Sequence, residues 1–198
     1  MFIQVIQGRT KDADGLRRQL ERWEAELGRG AKGYLGTTGG VAGDGTAIVV
    51  ARFESEEAAR TNSDRPEQGA WWNETAKYFD GEVAFRDCRE VDTTLGGGSD
   101  DAGFVQVMQG RTTNKARLLE LEKEFMPKLQ QARPDVIGSI RGWDGDTFTE
   151  VIYFTSEAEA RKGEAGMEAD AQQDMAEFGS LVQDLTYIDL EDPWLRSP

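Results

Sequence analysis

The chain has 198 residues, of which 38 % are hydrophobic and 30 % charged, so it can bury one large core or two small ones. Its net charge of −14 disfavours nucleic acid and anionic membrane surfaces as partners, because both present negative phosphates. The lack of histidine and the single Cys88 exclude histidine-dependent catalytic triads and an internal disulfide, and they argue against a zinc site.

The sequence also predicts where the protein works. No stretch approaches the roughly 18 apolar residues that a membrane span requires. The first residues lack the basic region and apolar run of a secretory signal. One unpaired cysteine suits a reducing compartment. We therefore expect a cytoplasmic protein. Because the chain has no histidine and one cysteine, we also expect that it uses neither a metal nor a cofactor.

The first half of the chain predicts the order strand, helix, strand, strand, helix, strand. A strand over residues 2–8 precedes the segment "KDADGLRRQLERWEAEL", whose apolar residues recur at helical spacing. The segment "GYLGTTGGVAGDGTAIVVARF" reads as a hairpin with Gly-Asp-Gly at its turn. Ser55 is the predicted cap of a short helix, and Pro66 the first residue of another. "EVAFRDCREV" closes the unit as a fourth strand.

The second half repeats the first. "FIQVIQGRT" at residues 2–10 returns as "FVQVMQGRT" at residues 104–112, with seven of nine positions identical. "FESEEAAR" at residues 53–60 likewise returns as "FTSEAEAR" at residues 154–161. In the second copy Pro127 lies inside the first helix, where it should kink the helix or divide it after Met126.

These repeats predict two domains joined by a linker. The stretch "TTLGGGSDD" has the composition of a flexible connection. We therefore expect one repeat over residues 1–93, a linker over 94–102 and a second repeat over 103–198.

The order βαββαβ predicts an α+β protein made of two ferredoxin-like repeats. A single unit of this kind leaves one face of its sheet uncovered. We expect the two repeats to pack sheet to sheet as an intrachain barrel, a pseudo-dimer whose pairing does not depend on concentration. Further oligomerisation is left open by the sequence.

The two repeats resemble the dimeric α/β-barrel superfamily, in particular its antibiotic-biosynthesis-monooxygenase-like branch. The resemblance rests on "FIQVIQGRTKDADGLRRQLERWE" and "FVQVMQGRTTNKARLLELEKEF", each followed by a hairpin and by "SEEAAR" or "SEAEAR". That branch includes cofactor-free oxygenases of electron-rich aromatic substrates, haem-degrading enzymes and many proteins without assigned activity, so the resemblance implies one of these. Haem-dependent members use a histidine that this chain lacks. The resemblance transfers no catalytic residue.

Candidate ligand-binding residues recur at matching places in the two copies. Gln4 and Gln106 are amides inside apolar strands, so each needs a partner in the protein, in water or in a ligand. Arg9 and Arg111 end the same strands. They are either ion pairs at the rim or cations at a pocket mouth that select an anionic or phenolic substrate.

Aromatic residues supply the other candidates, and each could serve the core instead. Trp72 adjoins Trp71 on the second helix, and because their side chains point about 100° apart, at most one should be deeply buried. The second copy offers Asp170 and Ala171 at these two positions.

The hairpin strands carry Tyr34, Arg141, Trp143 and Tyr153. Tyr34 is the one candidate for proton transfer, provided that its surroundings tune it. If only one half keeps a pocket, the first is favoured, because it holds more aromatic and glycine residues.

Two functions follow from these observations. The first is a small-molecule-binding protein, with cofactor-free monooxygenation of an aromatic or apolar substrate as its activity. The second is a non-catalytic structural or accessory barrel. Whether the chain is an enzyme at all is left open by the sequence.

Overall fold

A computed structural model describes residues 1–170 and 172–197, except for the side chains of residues 167–175. The comparison of Trp71 and Trp72 with Asp170 and Ala171 therefore lies outside the described residues. The chain forms two compact units. The first comprises Met1–Val91 with Asp192–Pro198, and the second comprises Asp92–Glu191. The predicted boundaries of the sequence repeats stay a prediction.

The described residues form ten strands and six α-helices. The strands are β1 (Phe2–Arg9), β2 (Tyr34–Val41), β3 (Thr46–Phe53), β4 (Ala84–Cys88), β5 (Glu90–Thr94), β6 (Phe104–Thr112), β7 (Val136–Asp144), β8 (Thr147–Phe154), β9 (Val182–Leu190) and β10 (Trp194–Arg196). The helices are α1 (Ala13–Glu26), α2 (Glu56–Ser63), α3 (Pro66–Thr75), α4 (Lys115–Ala132), α5 (Glu157–Asp170) and α6 (Gln172–Leu181).

The strands build two five-stranded antiparallel sheets. Their orders are β10-β2-β3-β1-β4 and β5-β7-β8-β6-β9. Within each order four strands and their helices form the predicted βαββαβ unit. The fifth strand is β10 in one sheet and β5 in the other. Strand β10 was not predicted, and the predicted fourth strand over residues 82–91 is divided, since β4 ends at Cys88 and Glu90 begins β5 in the second sheet.

Local signals in the first unit set the helix ends as predicted. The Ser55 side chain accepts a hydrogen bond from the Ala58 amide at 3.1 Å, and α3 begins at Pro66. Asp12 provides a cap that was not predicted, since its carboxylate accepts from the Gly15 amide at 2.7 Å. Such caps satisfy the amides that a first helical turn leaves unpaired.

Of the two outcomes predicted for Pro127, a kink or a division of the helix, the division does not occur, and the kink stays a prediction. Helix α4 continues from Lys115 to Ala132 with Pro127 inside it. Proline removes one backbone hydrogen bond, and the turns on either side of Pro127 keep theirs.

Strand alternation decides which side chains face the helices. Phe2 pairs with Phe53 across β1 and β3, and both pack against Ala59 of α2. Gln4 and Ile6 lie on this face too, because side chains two residues apart on a strand share a face. The second unit repeats the arrangement with Phe104, Phe154 and Ala160.

None of the helices in residues 1–170 and 172–197 combines the length and the apolarity that crossing a bilayer requires.

Candidate ligand-binding site

The two strand glutamines have protein partners of the same kind. Gln4 Nε2 donates to Asp87 Oδ1 at 3.0 Å, and Gln106 Nε2 donates to Asp189 Oδ1 at 2.9 Å. Each aspartate lies directly opposite its glutamine on the neighbouring strand. The amides therefore need no ligand to satisfy them.

The two strand-end arginines lie at the surface. Arg9 pairs with Asp44 at 3.5 Å and Arg111 with Asp184 at 3.3 Å, and both guanidinium side chains are more than half exposed. Exposed ion pairs of this kind contribute about 0–1 kcal/mol. Neither arginine lines the small pocket between α1, β2 and β10.

The aromatic candidates of the first unit belong to one connected cluster. The ring centroids of Trp23 and Tyr34 lie 4.9 Å apart, and those of Trp23 and Trp71 lie 6.4 Å apart. Trp71 is buried, and its indole N–H donates to the Gln19 carbonyl at 2.8 Å. Trp72 is only half-buried, as the helical spacing of the two tryptophans predicted.

A pocket of about 30 Å³ lies between α1, β2 and β10. Trp23, Tyr34 and Trp194 are among its lining residues. Its charged lining consists of two arginines and two glutamates, Arg17, Glu21, Glu24 and Arg196. The Tyr34 hydroxyl donates to Thr37 Oγ1 at 2.7 Å. A cavity holds a water from about 10–15 Å³, whereas ligand pockets span roughly 300–1,000 Å³. In this conformation the pocket accommodates water but no organic ligand.

A second depression, of about 410 Å³, lies at the end of α3 and is open to solvent. Its charged side chains pair with one another, Lys11 with Asp80 and Lys77 with Glu74, each at 2.7 Å. An open depression whose charges are already paired offers little to a largely apolar ligand.

Trp194 fills most of the space beside the small pocket. Trp194 is 8 % exposed and packs against Leu16 and Ala47, on the face of the sheet that α1 covers. The strand that carries it, β10, pairs with β2 over three residues, and Trp194 lies opposite Gly39. Small side chains on the sheet thus leave room for one indole ring.

The second unit fills the corresponding space from its own strands. Trp143 and Phe148 pair with each other where the first unit pairs Val41 with Ala47. Their ring centroids lie 5.5 Å apart, and both side chains are buried. The indole N–H of Trp143 donates to Asp92 at 2.7 Å. In the second unit, large strand residues therefore fill the space that Trp194 fills in the first unit.

Beside them the second unit buries an ion network. Arg141 contacts Glu122 and Glu150 at 2.6 Å each, and Ser139 donates to Glu150 at 2.5 Å. Burial raises the pKa of Glu122 against the opposing effect of Arg141. Burial alone would lower the pKa of Arg141, but Glu150 and Glu122 together hold it above its ordinary value. The strand pair Gly39 and Val49 stands in the first unit where Arg141 and Glu150 pair in the second.

The structure thus places the seven predicted ligand-binding residues in several locations. Only Tyr34 lines the small pocket. Gln4 and Gln106 bond to aspartates, Trp143 is in the core of the second unit, and Trp72 packs against Phe85 with centroids 5.1 Å apart.

Trp194 and Glu122 were missed by the sequence analysis. A signal existed for Trp194, because it follows the second repeat at the same offset at which Asp92 follows the first. Among the side chains that the structure describes, no three of Cys, Asp or Glu are placed to hold a metal ion.

The fold matches solved structures over the whole chain. A "putative monooxygenase" from Fusobacterium nucleatum has a TM-score of 0.73 at 8 % identity, covering 99 % of this chain and 94 % of that one. A "putative monooxygenase" from Lactobacillus acidophilus has a TM-score of 0.71 at 14 % identity, covering 99 % and 96 %. An anthrone oxidase-like protein has a TM-score of 0.69 at 12 % identity, covering 99 % and 92 %.

At these identities the likeness establishes the fold alone. The predicted α+β fold, two ferredoxin-like repeats in tandem, is confirmed, and it is the fold of monooxygenase-like tandem proteins. The packing of one sheet against the other stays a prediction. No protein-family model matches the chain, and no curated protein matches it either.

Proposed function

We propose that the first unit binds a small, largely apolar or aromatic molecule between α1 and its sheet and oxidises it with molecular oxygen, without a cofactor. One observation carries the proposal. The sheet under α1 presents Gly39, Val41 and Ala47, whereas the second unit fills the equivalent space with Trp143 and Phe148. Of the two units as described, only the first has a space walled by aromatic rings that its four repeat strands leave open and that the edge strand β10 fills.

The pocket walls favour a planar aromatic ligand. Trp23 and Tyr34 offer ring surfaces for stacked or edge-on contacts. At the rim Arg17 pairs with Glu21 at 3.4 Å and Arg196 with Glu24 at 2.6 Å, so the rim carries no net charge and the aromatic walls determine which ligand is favoured. The Tyr34 hydroxyl is the one phenol group among the residues that line this pocket.

Cofactor-free oxidation needs little from the protein. A deprotonated electron-rich substrate gives an electron to oxygen, so the protein supplies orientation and a proton acceptor. Anthrone is a suitable probe, since one structural relative is an anthrone oxidase-like protein. Its methylene group would become a carbonyl that takes one oxygen atom of O2. The other oxygen atom would leave as water with the two methylene hydrogens.

Oxygen uptake with anthrone tests the proposal. We expect the full chain to consume oxygen faster than the spontaneous reaction, with anthraquinone formed in equal amount. Tyr34→Ala should reduce the rate at least tenfold. Val136→Ala is the matched control, because Val136 faces Phe154 as Tyr34 faces Phe53, and it should keep the rate. A wild-type rate equal to the spontaneous one, with no anthrone bound, would overturn the proposal.

A non-catalytic accessory barrel is the second candidate function. It is favoured by the interior as it stands, where both glutamines are bonded to aspartates and the pocket has a volume of about 30 Å³. The same oxygen-uptake assay separates the two candidates. The predicted cytoplasmic location also stays a proposal, supported by the single cysteine, which is buried and forms no disulfide.

A further inference from the structure

We infer that Trp194 occupies the ligand's place, and that the first unit takes a planar fused-ring aromatic compound which displaces it. The plug segment, residues 192–197, then leaves the edge of the sheet when the ligand binds. The inference rests on the proposed function for the location of the site, and it adds the ligand class and the device that controls access.

The fit of Trp194 points to the ligand class. The indole packs in one cluster with Leu16 of α1 and Ala47 of the sheet, and Tyr78 and Phe79 pack against that cluster. A site that buries a fused two-ring system down to 8 % exposure has the shape and apolarity for another ring system of that kind. Because Trp194 forms one wall of the small pocket, its departure joins that pocket to the space vacated by the indole.

The second unit shows that a unit of this kind can fill the space between its first helix and its sheet without a plug segment. There the tryptophan, Trp143, comes from β7, a strand of nine residues that pairs on both sides. The strand position equivalent to Trp194 carries Asp92, which merely accepts the hydrogen bond of Trp143. A tryptophan fixed in a long strand cannot leave without unfolding the unit, whereas a tryptophan on a short edge strand can.

The plug segment is weakly attached. Strand β10 has three residues and pairs with β2 alone, at the edge of the sheet. Its ion pairs, Arg17 with Asp192 and Arg196 with Glu24, join side chains that are all more than a third exposed. Exposed pairs contribute little to stability and are readily exchanged for water.

One anchor of the plug segment is also poorly formed. The Arg52 guanidinium reaches the Arg196 carbonyl at 3.5 Å, the outer limit of a hydrogen bond. Arg52 is 7 % exposed, and its Nε has no hydrogen-bond partner among the described residues. A buried unpaired N–H costs free energy, so departure of the segment that lets water reach Arg52 would offset part of the lost packing.

Binding of 2-naphthol to the full-length protein tests the inference. Calorimetric titration should give Trp194→Ala an affinity at least tenfold higher than that of the wild type, because the variant has no indole to displace. Asp92→Ala changes the equivalent position of the second unit and should keep the wild-type affinity. Phenol, with a single ring, should gain less than 2-naphthol from the Trp194 substitution.

A second variant leaves the core intact in case Trp194→Ala does not fold. Asp192→Ala removes the pair with Arg17 but no pocket wall, and it should raise the affinity for 2-naphthol two- to fivefold. Asp80→Ala removes an exposed pair of the same unit, that with Lys11, and should leave the affinity unchanged.

The outcomes separate the two proposals. Equal binding by wild type, Trp194→Ala and Asp192→Ala would overturn the plug and leave the ligand site in place. Weaker binding by both variants would also overturn the plug and make Trp194 a wall that contacts the ligand. No binding by any of them would overturn the plug and the proposed function together.

Discussion

The pairs Gln4–Asp87 and Gln106–Asp189 show how one amide inside an apolar strand is accommodated twice. In each unit an aspartate on the edge strand accepts a hydrogen bond from the amide nitrogen, at 3.0 or 2.9 Å. The equal geometry follows from the repeated register of β1 with β4 and of β6 with β9. The glutamines thus fix the pairing of a neighbouring strand.

Replacing these glutamines should affect stability and leave ligand binding unchanged. Gln106→Leu leaves the Asp189 carboxylate short of one donor, so we expect the free energy of unfolding to fall by about 1–2 kcal/mol. Gln4→Leu should cost less, since Gln4 is less buried. Urea unfolding and 2-naphthol titration measure the two effects. Unchanged stability with lost binding would mean instead that the amides serve the ligand.

The buried carboxylate Glu122 predicts a pH dependence. Burial raises its pKa above the ordinary value of 4.5, so the folded protein binds its proton more tightly than the unfolded chain does. The stability contributed by this group is present below pH 4.5 and is lost as pH rises through the folded pKa.

Unfolding followed against pH measures this contribution. The stability of wild type relative to Glu122→Gln should therefore fall as pH rises above about 4.5, and then level off. For Glu74→Gln the stability of wild type relative to the variant should instead rise with pH, because hydrogen bonding from Lys77 lowers the pKa of Glu74. A difference between wild type and Glu122→Gln that does not change with pH would contradict the account.

At the scale of elements, the two hairpins differ more than their repeated sequences suggest. Strands β2 and β3 present small residues under α1, whereas β7 and β8 present Trp143, Phe148 and the Arg141 ion network. The first hairpin therefore depends on β10 to complete its core, and the second hairpin does not.

Copying the second unit into the first should close the site. Ala47→Phe introduces the residue found at Phe148, so it competes with Trp194 for one space and should abolish 2-naphthol binding. Overpacking should also cost about 1–3 kcal/mol. The reverse variant, Phe148→Ala, opens a cavity that costs about 3–5 kcal/mol but should leave 2-naphthol binding unchanged. Binding that survives Ala47→Phe would place the ligand elsewhere.

The elements differ in how far the sequence predicts them. Period-two strands, helical spacing and the local caps at Ser55 and Pro66 predict the four strands and helices of each repeat, because these signals act within a few residues. Strand β10 carries no such signal. Its three residues are too short for a period, and Trp194 pairs with Gly39, which is remote in sequence.

The candidate site is predicted less completely, for the same reason. Tyr34 could be named because it lies on a predicted hairpin strand in a half rich in aromatic residues. The partners of Gln4 and Arg141, and the place of Trp194, depend on which strands become neighbours in the sheets. Long-range pairing of this kind leaves no local pattern in the sequence.

For the whole molecule, the two copies have the same fold and different interiors. Duplication explains the shared strands, the shared aspartate partners and the match to tandem monooxygenase-like structures along the full chain. Divergence has filled one interior with large and charged side chains and left the other closed by a weakly attached strand. The first unit is therefore the proposed site of chemistry, and the second unit is the filled counterpart.

Amide hydrogen exchange with and without 2-naphthol tests this division most directly. With 2-naphthol bound, we expect faster amide exchange in residues 194–196 and in their β2 partners 37–39, because the plug segment leaves the sheet. We also expect slower exchange in α1 and no change within residues 104–190. Changes centred on β7, β8 or α4, or no change in either unit at saturating ligand, would contradict the account.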